Sequence, residues 1–406
     1  YHHPYFQSDK MRSTMTAKVL LCLCKSRRQG RSVLTSVTTS TALVMAFFFL
    51  AVMSPTMHAG KRHWTYQDIQ ARSQQIDAFI QERLSKEQIE PALLVDESTL
   101  LRRLYLDLIG RIPSIEEAQS YIDSSDPQKR DQLINRLLES EGHVSHEYNH
   151  WADLLRIKSR MRNLPGQPYI EWVRNAFRRN MPYDEFVGQL INSKGYLWDD
   201  GATGFYFRDA GMELDHMANT FQVFLGTQVG CAQCHDHPYD SWTQKQYYEQ
   251  AAYTYGVKTT DSKMNRKFRG LGNNKIRNDI DPALKAAARR MVRPLKYRVF
   301  ESKTALKLPD DYQYEDSKPK SKVTPHPMFG HLVDGKSDAS LRQAYAEWLT
   351  SPGNPRFPTV VANRYWRRMM GVGLIEPVDD MREGVEASHP ELIKFLADTM
   401  VEIGFD

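Results

Sequence analysis

Cysteine placement constrains this chain more than any other feature. Four cysteines occur in 406 residues, and two of them stand in Gly230-Cys231-Ala232-Gln233-Cys234-His235-Asp236-His237-Pro238-Tyr239-Asp240. Cys-x-x-Cys-His is the arrangement by which a haem is bound covalently: two thiols one turn apart add to the two vinyl groups, and the adjacent imidazole reaches the iron. A fold built around it must hold Cys231, Cys234 and His235 side by side with space for a flat ring, and His235 is then the proximal ligand. For the opposite face Met212, His216, Met217 and His237 are near in the chain; a distant Met or His, or an open position, serves equally. His237 is the least suited, because a two-residue offset from His235 makes the far face of the same ring hard to reach.

Three other readings fit the same residues. Cys231, Cys234 and His237 recur at three-residue intervals, so with His235 or Asp236 they form a compact zinc set, although zinc usually draws its ligands from two separated pieces of chain. A Cys-x-x-Cys disulfide, structural or redox-active, is the second. A pair of buried thiols is the third, and an oxidising compartment argues against it.

The compartment is read from the first 59 residues. Lys18, Lys25, Arg27, Arg28 and Arg31 precede an apolar run from Ala42 to Met53, and Ser54-Pro55-Thr56-Met57-His58-Ala59 follows. A basic region, a short apolar core and a cleavage after Ala59 describe a secretory signal peptide, with Met11 or Met15 as its start. The run is short for a membrane span; an uncleaved anchor is the alternative, since Met57 is larger than the usual residue there. Export removes Cys22 and Cys24 with the leader and leaves Cys231 and Cys234 on the outer side of the membrane, where covalent haem attachment takes place. The expected location is periplasmic or extracellular.

From Trp64 onward the apolar spacing is helical. Ile69, Ile76, Phe79, Ile80 and Leu84 form one stripe, and Leu100, Leu101, Leu104, Tyr105 and Leu108 another that ends at Gly110-Arg111-Ile112-Pro113. Ser114-x-x-Glu117 and Thr243-x-x-Gln246 are capping boxes, Asp126-Pro127 places an N-cap and a first-turn proline, and Ser388-x-x-Glu391 with Pro390 starts a last helix. Tyr169 to Phe177, Tyr183 to Ile191, Leu214 to Leu225, Leu341 to Leu349 and Val360 to Met370 are also amphipathic. Asp199-Asp200-Gly201 lacks the ligand spacing of a calcium loop and reads as a turn. Between Lys258 and Arg298 the chain is basic, and Lys296 to Phe300 and Thr304 to Leu308 alternate like short strands.

The expected architecture is mainly α. A signal region spans 1–59, an irregular multi-helix domain with the Cys motif 64–256, a basic and proline-rich linker with minor β 257–337, and part of a second helical domain 338–406.

Several blocks carry a family resemblance. Leu101-Arg102-Arg103-Leu104-Tyr105-Leu106-Asp107-Leu108-Ile109-Gly110-Arg111-Ile112-Pro113, His150-Trp151-Ala152-Asp153-Leu154-Leu155-Arg156 and Phe224-Leu225-Gly226-Thr227-Gln228-Val229-Gly230 resemble the secreted planctomycete cytochrome-c-related proteins, which join a PSCyt-type to a PSD-type domain of unknown function. Leu349-Thr350-Ser351-Pro352-Gly353-Asn354-Pro355-Arg356-Phe357, Asn363-Arg364-Tyr365-Trp366 and Gly371-Val372-Gly373-Leu374-Ile375-Glu376-Pro377-Val378-Asp379-Asp380 are similar to the second of these. The resemblance implies an exported protein with a haem-c motif, from bacteria that degrade complex polysaccharides, and a second domain that continues in relatives beyond residue 406. It supplies no activity.

Net charge +5 is too weak and scattered to argue for nucleic acid. No nucleotide-binding glycine loop, nucleophile elbow or His-Glu-x-x-His occurs. The residues point first to an exported haem-c protein that moves electrons or serves a haem-dependent oxidoreductase, with a redox protein or an anionic polysaccharide as partner for the basic segment. The alternative is a helical surface module stapled by zinc or a disulfide at Cys231 and Cys234. Metal-assisted hydrolysis by Asp236, His237 and Asp240 is a third reading.

Overall fold

Helix starts are decided locally. Thr65 with Asp68, Ser114 with Glu117 and Thr243 with Gln246 each form a reciprocal capping box, opening α1 (Tyr66–Glu87), α3 (Ile115–Ile122) and α10 (Gln244–Ala251). This computed structural model describes residues 64–161, 164–261, 263–264, 281–330 and 340–406; the leader with its cleavage site and the Arg266-Lys267-x-Arg269 cluster lie outside them. The remaining helices are α2 (Glu97–Ile109), α4 (Lys129–Leu138), α5 (Glu141–Leu154), α6 (Gln167–Arg178), α7 (Tyr183–Asn192), α8 (Gly204–Arg208), α9 (Glu213–Leu225), α11 (Pro282–Val292), α12 (Leu341–Leu349), α13 (Phe357–Met370) and α14 (Pro390–Glu402). The chain is mainly helical, as its periodicity predicts.

Two expected starts differ. Asp126 accepts from the Gln128 backbone N–H at 2.8 Å, so it closes a turn and α4 begins two residues later. Ser388 does not cap α14: its N–H and hydroxyl both donate to the Leu374 carbonyl, at 2.7 and 3.1 Å. Pro390 does occupy the first turn.

Strands are few and short. β1 (Arg160–Met161) pairs with β2 (Leu164–Pro165), and β3 (Val257–Thr260) runs antiparallel to β4 (Tyr297–Glu301) with Val257 opposite Glu301. The expected strand at Lys296 to Phe300 is therefore present. Leu306 and Leu308 are both buried, alternating around Lys307, which bridges to Lys322.

The largest core joins residues from Trp151 to Phe405. Trp151, Tyr169, Phe186, Phe221, Phe224 and Tyr247 pack in one cluster with Tyr345, Trp348 and Phe357. The connecting segment enters it too, through Val257, Tyr297, Val299, Leu306, Leu308, Tyr312 and Val323. Burying a side chain of this size stabilises by roughly 1.5–3 kcal/mol, so a stretch with this many is part of the body, whatever its surface charge. Of its described basic groups, Lys258 pairs with Glu213 at 3.0 Å and Arg298 with Asp261 at 2.9 Å, while Arg290 and Arg293 are exposed. A smaller core of Leu101, Tyr105, Tyr121, Leu133 and Leu137 holds α2, α3 and α4 together.

Among the described residues the first and last helices meet. Ile76, Phe79 and Ile80 of α1 pack against Leu374, Leu392 and Ile393, and the His389 Nε2 lies 2.9 Å from the Phe79 carbonyl. Ile76, Phe79 and Ile80 of the α1 stripe read from the sequence thus face α14, while Ile69 is exposed and no residue of α1 is fully buried.

Candidate functional site

Helix α9 delivers the chain to the Cys motif and stops at Gly226. Gly226 has φ of 54°, the left-handed conformation that glycine adopts without strain, and a Cβ there would meet Val360 at 2.8 Å. The Gly226 carbonyl accepts from Met381 N–H at 2.7 Å, and the Gln222 amide donates to Asp379 at 2.8 Å. Arg364 of α13 donates to the Gln222 carbonyl at 3.0 Å. The junction between helix and motif is therefore buttressed by residues 364–381 from the far end of the sequence.

The motif itself is a turn of 3-10 helix, Gly230–Gln233, closed by Cys234 N–H donating to the Cys231 carbonyl at 3.2 Å. With three residues per turn, Cys231 and Cys234 fall on the same side. Val229 and Ala232 are fully buried and anchor the other side, while Cys231, Cys234 and His235 are exposed. Both thiols are free. This excludes the reading of buried thiols and leaves sulfurs and imidazole open to a planar group.

The ring of His235 is oriented by its own loop. Its Nδ1 lies 2.7 Å from the Asp236 carbonyl, which can only accept, so the neutral ring carries its proton on Nδ1 and presents a bare Nε2. Asp236 also uses its carboxylate, which accepts from the first N–H of α10, Gln244, at 2.8 Å. Asp240 accepts from Ser241 N–H at 2.8 Å and Glu383 N–H at 3.4 Å. These carboxylates serve the backbone and do not converge.

His237 is held the other way round. Its Nδ1 accepts from Tyr239 N–H at 3.3 Å, which puts the proton of the neutral ring on Nε2. Among the described residues no group of three or more His, Cys, Asp or Glu side chains is gathered for a metal ion. Cys231, Cys234 and His237 are therefore not gathered as a ligand set in this arrangement.

The near candidates for the opposite face separate by burial. Met217 is in the main core, and His216 is buried with Nδ1 3.3 Å from Asp209 and its ring 4.6 Å from those of Phe205 and Tyr206. Met212 is about half exposed, at 47%. Trp242, Tyr247, Tyr248 and Tyr253 are core residues, and the Tyr247 hydroxyl reaches the Cys turn through Gln233 Oε1 at 3.2 Å; Tyr239, 77% exposed, is an open aromatic of the loop.

Sequence reasoning missed a buried charge cluster behind α9. Asp209 pairs with Arg156 at 2.7 Å and with His216, beside a cavity of about 10 Å³ lined in part by Tyr206 and Thr254, room for about one water. Burial pushes the Asp209 carboxyl up, but the His216 and Arg156 contacts outweigh it and hold it down at about 2. Arg156 and His216 stand sixty residues apart with no shared pattern, so the sequence carried no signal for the pair.

PSCyt2, a protein of unknown function (DUF1549), matches residues 75–259, and PSD1, a protein of unknown function (DUF1553), matches residues 341–406, in that order. No curated protein and no solved structure matches the chain. No helix among the described residues is long and apolar enough to cross a membrane.

Proposed function

We propose that this chain, which belongs to the proteins that join PSCyt2 to PSD1, two consecutive domains of unknown function, is an exported haem-c protein used in electron transfer or by a haem-dependent oxidoreductase. The observation that carries this reading is the exposed turn on which Cys231 and Cys234 share a side and His235 offers an unprotonated Nε2. Cys231 and Cys234 would hold the group by thioether bonds and His235 would ligate its iron; when bound, haem supplies one-electron chemistry. The chain's own contribution is to keep the three groups at the surface, fix the tautomer of His235, and brace the loop through Gly226, Asp379 and Met381. Export belongs to the same reading, because the attachment is made outside the cytoplasm.

The test is a pyridine haemochrome assay and metal analysis on chain exported from cells that carry haem-maturation machinery. The expected result is a c-type spectrum with one iron per chain, lost on Cys231→Ser with Cys234→Ser. Zinc at one per chain without iron, or no metal and an oxidised Cys231–Cys234 pair, would instead make the turn a staple on a surface module.

A further inference from the structure

The residue whose carbonyl orients His235 is itself held from a distance. Asp236 N–H donates to the Tyr314 hydroxyl at 2.6 Å, while the Asp236 carboxylate is tied to Gln244 N–H at 2.8 Å. Gln244 is buried, and its side chain donates to the Gln233 carbonyl at 3.1 Å, inside the Cys turn. Asp236 is thus fixed at its amide and at its side chain, and its carbonyl, in the next peptide whose His237 N–H donates to the Trp242 carbonyl at 2.8 Å, has little freedom left. Tyr314 lies in the connecting segment, outside residues 75–259 and 341–406. It is half-buried, packs against the main core and meets Tyr312 edge-to-face at 5.5 Å. The Tyr312 hydroxyl is used elsewhere, on Asp316 at 2.5 Å.

We infer that Tyr314 is a positioning residue for His235: by holding the Asp236 N–H it fixes the residue whose carbonyl, in the next peptide, accepts from Nδ1–H and leaves Nε2 bare for a metal. What Nε2 faces rests on the haem reading above; the tautomer does not. The connecting segment then belongs to the site, and a PSCyt2 region cut at residue 259 would keep the Cys motif while losing the group that orients its imidazole.

The tautomer is read directly from the ring nitrogen shifts of chain labelled with ¹⁵N-histidine, without haem, above about pH 8, where an ordinary imidazole is neutral. Wild type is expected to hold His235 with its proton on Nδ1. Tyr314→Phe removes the hydroxyl and should raise the share of the Nε2-protonated ring roughly fivefold, the worth of one typical hydrogen bond, and should lower exchange protection of the Asp236 amide. Tyr312→Phe, which alters the adjacent ring, should change neither. A wild-type His235 protonated on Nε2, or a Tyr314→Phe chain whose tautomer and Asp236 protection match wild type, overturns the inference. Exchange protection of Asp236 in wild type alone decides the matter if Tyr314→Phe does not fold, since an unprotected amide is incompatible with the bond. A missing haemochrome leaves these readouts intact, so the two readings fail separately.

Discussion

His235 and His237, two residues apart on one loop, are held with their ring protons on opposite nitrogens. His235 Nδ1 faces the Asp236 carbonyl at 2.7 Å, whereas His237 Nδ1 receives the Tyr239 N–H at 3.3 Å. A metal takes an imidazole through a nitrogen without a proton, and the partner of the other nitrogen decides which one that is. The backbone therefore distinguishes two side chains that spacing alone left in competition.

The asymmetry gives a paired expectation. In haem-loaded chain, His235→Ala should change the visible spectrum of the iron and weaken retention of the group. His237→Ala should leave the spectrum as it was and cost only the single contact to Tyr239, about 1 kcal/mol. Equal spectral changes in the two variants would show that the loop does not discriminate between them.

The buried pair Glu147–Arg368 joins α5 to α13 at 2.6 Å, with the Tyr365 hydroxyl 3.1 Å from the other carboxylate oxygen. Leaving either charge alone in the core is costly, so Glu147→Gln and Arg368→Met should each destabilise by ~3–5 kcal/mol. Glu147→Leu combined with Arg368→Met leaves no orphaned charge and should sit closer to wild type than either single change. Urea unfolding midpoints of the four proteins decide this.

The helices were legible because their starts are local and their apolar spacing is regular: Ser114 and Thr243 each cap where the sequence says. Ser388 shows the limit. Its spacing to Glu391 is correct, but the Leu374 carbonyl, brought close by tertiary folding, takes both its donors. The Cys turn was legible for the same reason as the helices, since Cys231, Cys234 and His235 are neighbours. Its supports were not, because Tyr314 is 78 residues away from Asp236 in a stretch without periodicity, and Gly226 reads as a helix stop without disclosing that Met381 docks on it. Aromatic density after the motif does not say in sequence which way Trp242 and Tyr247 face; in the fold both pack in the core.

Gly226 sits where a side chain is excluded twice, by a φ of 54° and by Val360. Gly226→Ala should therefore destabilise by ~1–3 kcal/mol, and Gly226→Val by more, since a β-branched residue is strained further in this conformation. Because the same carbonyl anchors Met381, the variant should also raise hydrogen exchange at the Met381 amide before it raises exchange in α14. Thermal unfolding and amide exchange check the two parts.

Asp209 gives the fold a defined acid response. Its carboxyl is 3% exposed and, held by His216 and Arg156 against the opposing effect of burial, loses its proton at about 2 where the ordinary value is 3.8. The group is thus more acidic folded than unfolded, so its contribution to stability is complete above the ordinary value and is lost as pH falls through about 4 toward 2. The difference corresponds to about 2 kcal/mol. Asp209→Asn removes the titration while keeping an oxygen for Arg156, so the variant starts less stable near neutral pH, where its charged partners have lost their anion. Between pH 5 and 2, wild type should lose about 2 kcal/mol more of its unfolding free energy than Asp209→Asn does, because the other carboxylates titrate alike in both. Urea melts of the two proteins across that range measure the gap directly, and parallel acid limbs would show that the Asp209 carboxylate is not held by its neighbours in the folded chain.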